Sequence, residues 1–243
     1  MVITSKSNPI IKDIVKLNDK KYRREAGLYL VEGIKPVNEC IAAGCEVEKV
    51  ICTEKLSANY ANSIVVSDDV FGSISSEKTP QGVIAVVKIP NLSLKSPKNS
   101  CILLDRLQDP GNLGTIIRTA NAAGYKEIYL INCTDPYSPK AVRASMSGIF
   151  FTEVYQGSEE DILNTLRNVP MISADMHGEN IFGFQPPERF CLCIGNEGSG
   201  ISDVIKNNSD YKVKIPMTEN CESLNAAVSA GIAMYVLKER NFK

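Results

Sequence analysis

The chain has 243 residues, 44% of them hydrophobic, and a formal net charge of -1. This is enough to bury a core in one or two domains, and the near-neutral charge excludes a protein that coats nucleic acid over its whole surface. No apolar run approaches the ~20 residues of a membrane span, no secretory signal is expected, and the eight cysteines, none in a CxxC pair, read as reduced, mostly buried thiols of a cytoplasmic protein.

The first 24 residues carry Lys6, Lys12, Lys16, Lys20, Lys21, Arg23 and Arg24 against Asp13 and Asp19. Such a stripe either grips phosphates or is a solvated helix face. Asn8-Pro9 starts a helix, with Asn8 as cap and Pro9 in the first turn. Its apolar stripe is Ile10, Ile11, Ile14, Val15 and Leu17. GLYLVEG is a short strand, and a helix from about Ile34 to Ala43 stops at Gly44. VEKVIC, SIVVS and GVIAVVKI are strands. Together these predict a small α/β domain over residues 1–90, with no catalytic constellation of its own. Residues 91–100, rich in Pro, Ser, Lys and Asn, read as a linker.

The second domain, residues 101–243, opens with CILLDRLQDPGNLGTIIRTANAAGYKEIYLIN. Ile102–Leu104 is a buried strand. DPGN is a turn with Asn112 placed to cap the next helix. That helix has an apolar side of Leu113, Ile116, Ile117 and Ala120, and it ends at Gly124 before the strand KEIYLI. Arg118 points away from Leu113, Ile116 and Ala120. Sharing its face with Gly114, Thr115 and Asn121, it either forks two hydrogen bonds onto a phosphate or carboxylate or forms a surface salt bridge. Ser138-Pro139 starts another helix, SPKAVRASMSG, which ends at Gly148. IFFTEV is a strand, residues 159–167 are a helix and MISA is a strand. Asp175 and His177 follow in a loop. His177 is the only histidine and no paired ligand spacing occurs, so no metal centre is expected. The alternation predicts a mostly parallel sheet with helices on both faces.

The stretch from Cys191 to Leu237 organises the rest. Two buried-strand patterns, Phe190–Ile194 and Tyr211–Ile215, each run into a turn of Gly, Asn, Glu, Ser or Pro. Such turns at the carboxyl ends of strands are where open α/β sheets bind ligands. GNEGSG lacks both the G-x-G-x-x-G spacing and the Walker lysine. Glu197 would repel a phosphate there and suits a ligand with positive charge or hydroxyl donors. In the last helix Leu224, Ala227, Val228, Ile232 and Tyr235 recur as a core face. Ser223 is placed as its cap, with Asn225 beside it.

Three stretches in order, DPGNLGTIIRTANAAG, IGNEGSGIS and IPMTENCESLNAAVSAGIAMY, together resemble the SpoU/TrmH family of RNA ribose methyltransferases. ITSKSNPIIKDIVKL and LYLVEG resemble the N-terminal RNA-binding domain of its longer members, and SPKAVRASMSGIFF resembles their middle segment. The resemblance implies an α/β fold with a C-terminal trefoil knot and an obligate homodimer with active sites near the subunit interface. It also implies S-adenosylmethionine as methyl donor and a ribose 2′-hydroxyl of RNA as acceptor. Donor-binding loops then fall on Ala174, Gly195, Ile215, Met217 and Leu224. The catalytic set falls on Asn112, Arg118, Glu197, Ser223 and Asn225. With RNA as substrate, Lys12, Lys16, Lys20, Arg23 and Arg24 become the expected phosphate contacts. The N-terminal domain favours ribosomal RNA over transfer RNA. The other readings are a non-catalytic RNA-binding protein of the same fold and a dinucleotide-dependent oxidoreductase, the latter weakened by the absent G-x-G-x-x-G.

Overall fold

The structure is a computed structural model and describes residues 2–221 and 223–238. The first unit runs β1 (Val2–Ile3), α1 (Pro9–Lys16), α2 (Lys20–Ala26), β2 (Leu28–Glu32), α3 (Ile34–Ala42), β3 (Val47–Thr53), β4 (Ile64–Val66), α4 (Asp68–Ile74) and β5 (Val83–Lys88). Its five strands pair in the order β1-β4-β3-β5-β2. β5 is antiparallel to both neighbours, and the other pairs are parallel.

Asn8 caps α1 by accepting a hydrogen bond from Ile10 N, with Pro9 in the first turn. Only Ile11, Ile14 and Leu17 of the expected stripe are buried, while Ile10 and Val15 face solvent. At 100° per residue those two fall to the sides of the stripe that Ile11 and Ile14 define. α2 has no counterpart in the sequence reading, because KKYRREA carries no apolar stripe. It is anchored instead by Arg23, which corrects the expectation that Arg23 meets RNA phosphate. Arg23 is only 3% exposed. Its Nε and Nη2 donate to Asp135 Oδ2 at 3.0 and 2.6 Å, and Nη1 donates to Leu17 O at 2.7 Å.

Residues 89–100 carry no helix or strand. The second unit runs β6 (Cys101–Asp105), α5 (Pro110–Ala122), β7 (Glu127–Ile131), α6 (Pro139–Ala144), β8 (Glu153–Gly157), α7 (Glu159–Leu166), β9 (Met171–Asn180), β10 (Cys191–Ile194), α8 (Asp203–Asn208), β11 (Tyr211–Lys214) and α9 (Ala226–Lys238). Its six strands are all parallel, in the order β11-β9-β10-β6-β7-β8. β6, β7 and β10 are buried along their whole length, as parallel strands covered on both faces require. α5, α6 and α9 pack on one face and α7 and α8 on the other. Among the described residues no helix is long and apolar enough to cross a membrane.

Four local expectations need correction. Asp109, not Asn112, caps α5, because Pro110 occupies the first helical turn and Asp109 accepts from Asn112 N at 2.8 Å. α6 stops at Ala144, since Met146 and Ser147 adopt left-handed backbone, and a single 3-10 turn occupies residues 148–150 where a strand was expected. β9 continues through Asp175 and His177 instead of ending in a loop. Asn225, not Ser223, caps α9: its Oδ1 accepts from Ala227 N at 2.9 Å and Val228 N at 3.3 Å. The buried face of α9 is then Ala226, Ala227, Ala230, Ala233, Met234 and Leu237, while Val228 and Tyr235 are exposed.

One core runs through both units: Tyr29, Val31 and Val37 belong to the same cluster as Ile102, Leu113 and Ala230. The Tyr29 and Tyr137 rings lie 5.0 Å apart across the junction, and Arg143 donates to Ser76 Oγ at 3.0 Å. The chain fills β6, β7 and β8 outward, then returns to build β9, β10 and β11 on the other side of β6. The carboxyl ends at such a reversal form a crevice that no single strand closes.

Candidate active site

The middle of β9 and the turns after β10 and β11 line a cavity of about 320 Å³. Ala174, Gly195, Ile215, Met217 and Leu224, the five expected donor-binding positions, all line it. Ile194, Ile215 and Leu224 give it apolar wall, and the 195–200 loop gives it backbone polar groups.

That loop is built by its own residues. Asn196 and Gly200 exchange two backbone hydrogen bonds of 3.0 Å. Asn196 Oδ1 accepts from Gly198 N and Ser199 N at 2.9 and 3.0 Å, and its Nδ2 donates to Arg106 O at 2.8 Å. Gly200 takes φ +65°, and a side chain on Gly195 would overlap the Gly200 carbonyl carbon. Gly195→Ala should therefore destabilise the protein by about 2 kcal/mol and deform the cavity wall. Thermal melts with and without ligand read both effects.

Glu197 projects from this loop toward the start of α5. Its Oε1 accepts from Asn112 Nδ2 at 3.0 Å and Asp109 N at 3.3 Å. Its Oε2 accepts from Gln108 N and Asn196 Nδ2, each at 3.4 Å. Asn112 Oδ1 in turn accepts from Asn225 Nδ2 at 3.0 Å. With Asn225 Oδ1 committed to the α9 amides, donation runs one way: α9 amides to Asn225, to Asn112, to Glu197. Three of the five expected catalytic residues are thus joined in one network. Gln108, Asp109 and Asn196 complete it and were missed in the sequence, although Asp109 and Asn196 sit inside the motifs that carry it and Gln108 directly precedes the first.

Burial pushes the Glu197 carboxyl up, but the Asn112 amide and the backbone N–H groups of its own residue, Asp109 and Gln108 outweigh this and hold it below its ordinary value of 4.5. A lowered carboxylate stabilises the fold above its unfolded value, and that contribution disappears as pH falls through the folded one. Glu197→Gln should therefore be destabilising near neutrality and lose that penalty as pH falls below the ordinary 4.5 and through the lower folded value, as read by denaturation at each pH. At neutral pH the group is an anion with fixed orientation, fit to orient or deprotonate a hydroxyl.

Ser223 also lines the cavity. Arg118 is not brought to Glu197. It sits six residues beyond Asn112, roughly 9 Å further along the helix and about 120° around it. It is exposed and makes no ion pair or side-chain hydrogen bond among the described residues. Lys12, Lys16, Lys20 and Arg24 are exposed on α1 and α2. Lys16 pairs with Asp13 at 2.9 Å. Among the described residues no group of three His, Cys, Asp or Glu could hold a metal ion.

Comparison with known proteins matches residues 99–235 to the SpoU rRNA Methylase family and residues 8–85 to an MRM3-like substrate binding domain. A 23S rRNA (guanosine(2553)-2′-O)-methyltransferase, RlmP of Bacillus subtilis, is 31% identical, with 97% of this chain and 98% of that protein covered. An AdoMet-bound rRNA methyltransferase from Sinorhizobium meliloti superposes with a TM-score of 0.90 at 28% identity, over 99% and 98% of the two chains. The SpoU methyltransferase AviRb from Streptomyces viridochromogenes, in complex with the cofactor AdoMet, gives a TM-score of 0.86 at 26% identity, over 97% and 99%.

Proposed function

The chain belongs to the SpoU rRNA methylase family, and from that premise we propose that it methylates a ribose 2′-hydroxyl of ribosomal RNA, of the 23S type, using S-adenosylmethionine. The observation that carries this reading is the Asn225–Asn112–Glu197 network at the rim of a cavity lined by Ala174, Gly195, Ile215, Met217 and Leu224. The donor fits that cavity: Ile215 and Leu224 suit an adenine face, and Gly195 leaves room for close backbone approach. When bound, it supplies a methyl group already activated by the sulfonium.

The chain's own residues then have three tasks. They align the ribose hydroxyl with the cavity, accept its proton and stabilise the negative charge that develops. Glu197 is the anion placed to accept or orient that proton, and Asn112 and Asn225 fix its direction. Ser223 positions the ribose. Arg118 holds the target phosphate and the developing alkoxide through its fork of donors. It is a poor base, because a guanidinium stays protonated in proteins.

Arg118 faces away from its own Glu197, and exposed Val228 and Tyr235 lie on the adjoining helix α9. Both features support a homodimer in which sites form near the subunit interface. A trefoil knot, with the chain after β11 passing through a loop before α9 packs on α5, belongs to the same reading, as does a cytoplasmic location.

Residues 1–90 serve as the RNA-binding domain, 91–100 as the linker and 101–243 as the methyltransferase domain. Lys12, Lys16, Lys20 and Arg24 remain as phosphate contacts. Replacing Lys12, Lys20 and Arg24 together with alanine should weaken RNA binding at every sequence tested and reduce its salt slope by about one per residue. Filter binding across a salt series reads this, and an unchanged slope removes the stripe from the interface. The overall proposal is tested by incubating the protein with ribosomal RNA and methyl-labelled donor.

A further inference from the structure

A second polar cluster on the cavity wall takes no part in the Asn112–Glu197 network. Asp175 lies on β9, just past the residues that pair with β10. Lys206 lies on α8, and both residues line the cavity. The Asp175 side chain is 8% exposed and that of Lys206 33%. Asp175 Oδ1 accepts from His177 N at 2.9 Å. Oδ2 faces Lys206 Nζ at 3.6 Å, and neither atom has another partner among the described residues.

That spacing makes an ion pair but exceeds the ~2.8 Å of a charge-assisted hydrogen bond. A carboxylate so far buried is stable only when its lone pairs are met, so the pair is incomplete on its cavity side. Burial pushes Asp175 up, but the His177 amide and Lys206 hold it below the ordinary carboxylate range, so the acceptor stays anionic. The pair is net neutral, which gives it no pull on a charged group. It presents acceptor lone pairs beside ammonium donors. Hydroxyls both donate and accept, so two adjacent hydroxyls fit it without separating the charges.

We propose that Asp175 and Lys206 form the subsite for the vicinal 2′,3′-diol of the methyl donor's own ribose. The inference rests on S-adenosylmethionine being the donor. Calorimetry with S-adenosylhomocysteine and its 3′-deoxy analogue tests it, using wild type, Asp175→Asn and Lys206→Met. Wild type should bind the parent compound about tenfold more tightly than the analogue. Both variants should bind the parent about tenfold more weakly and lose the discrimination. Lys206 is the more exposed of the two, so its variant keeps the test independent of folding. A wild type that binds both compounds equally, or variants that keep the discrimination, would overturn the diol subsite and leave the donor intact. A wild type that binds neither compound would overturn the donor reading as well.

Discussion

Replacing Arg118 with alanine should lower methyl transfer by a factor on the order of 10²–10³ while leaving donor affinity and stability unchanged. The reason is placement. Arg118 is exposed on α5 and the donor cavity is lined without it. No ion pair or side-chain hydrogen bond among the described residues depends on it, so its loss costs the fold little. Its proposed work is on charge that exists only when RNA is bound and the hydroxyl is losing its proton. Arg118→Lys should recover part of the rate, because it restores the charge but not the planar fork. Single-turnover transfer from labelled donor, alongside donor calorimetry, separates the two effects. Unchanged turnover would remove Arg118 from the mechanism.

Asp135→Ala should destabilise the protein by about 3–5 kcal/mol, the largest stability effect of any single substitution considered. The substitution leaves the Arg23 guanidinium buried at the junction of the two units, with Leu17 O as its only remaining acceptor among those described. Asp135 Oδ1 also accepts from Tyr137 N at 2.9 Å, and Tyr137 packs on Tyr29. Loss of the carboxylate therefore loosens the seam between the two units. The double replacement Arg23→Met with Asp135→Leu should recover most of the stability, since a buried pair exchanged for apolar residues is close to neutral. Denaturant unfolding of the three variants measures this. An Asp135→Ala protein within 1 kcal/mol of wild type, on the scale of an ordinary surface change, would mean that water reaches the pair.

The central strands of the second unit were legible because burial on both faces leaves an uninterrupted apolar run, as in Cys101–Leu104 and Cys191–Ile194; β11, expected as a buried strand, lies at the sheet edge and buries only Val213. The motif turns were legible because Gly, Pro and Asn mark them. The direction of single charged side chains was not. Arg23 looks like any residue of a basic stripe, and its partner Asp135 lies 112 positions away. Two residues in DPGN can cap a helix, and the choice of Asp109 over Asn112 follows only once Pro110 is placed in the first turn. That choice frees the Asn112 amide for Glu197. In α9 the reading followed the large residues Val228, Ile232 and Tyr235. The buried face is instead made of Ala226, Ala227, Ala230, Ala233, Met234 and Leu237, mostly small residues whose low bulk gave no signal in the sequence.

The most direct test takes 23S ribosomal RNA from cells lacking this protein, incubates it with the pure protein and labelled S-adenosylmethionine, and identifies the modified nucleoside by digestion and mass spectrometry. A 2′-O-methylated nucleoside at a discrete position, absent when Arg118→Ala replaces wild type, is the predicted result. Label on a base, or no label while the donor binds, would contradict the assignment of the Asn112–Glu197 site to ribose methylation.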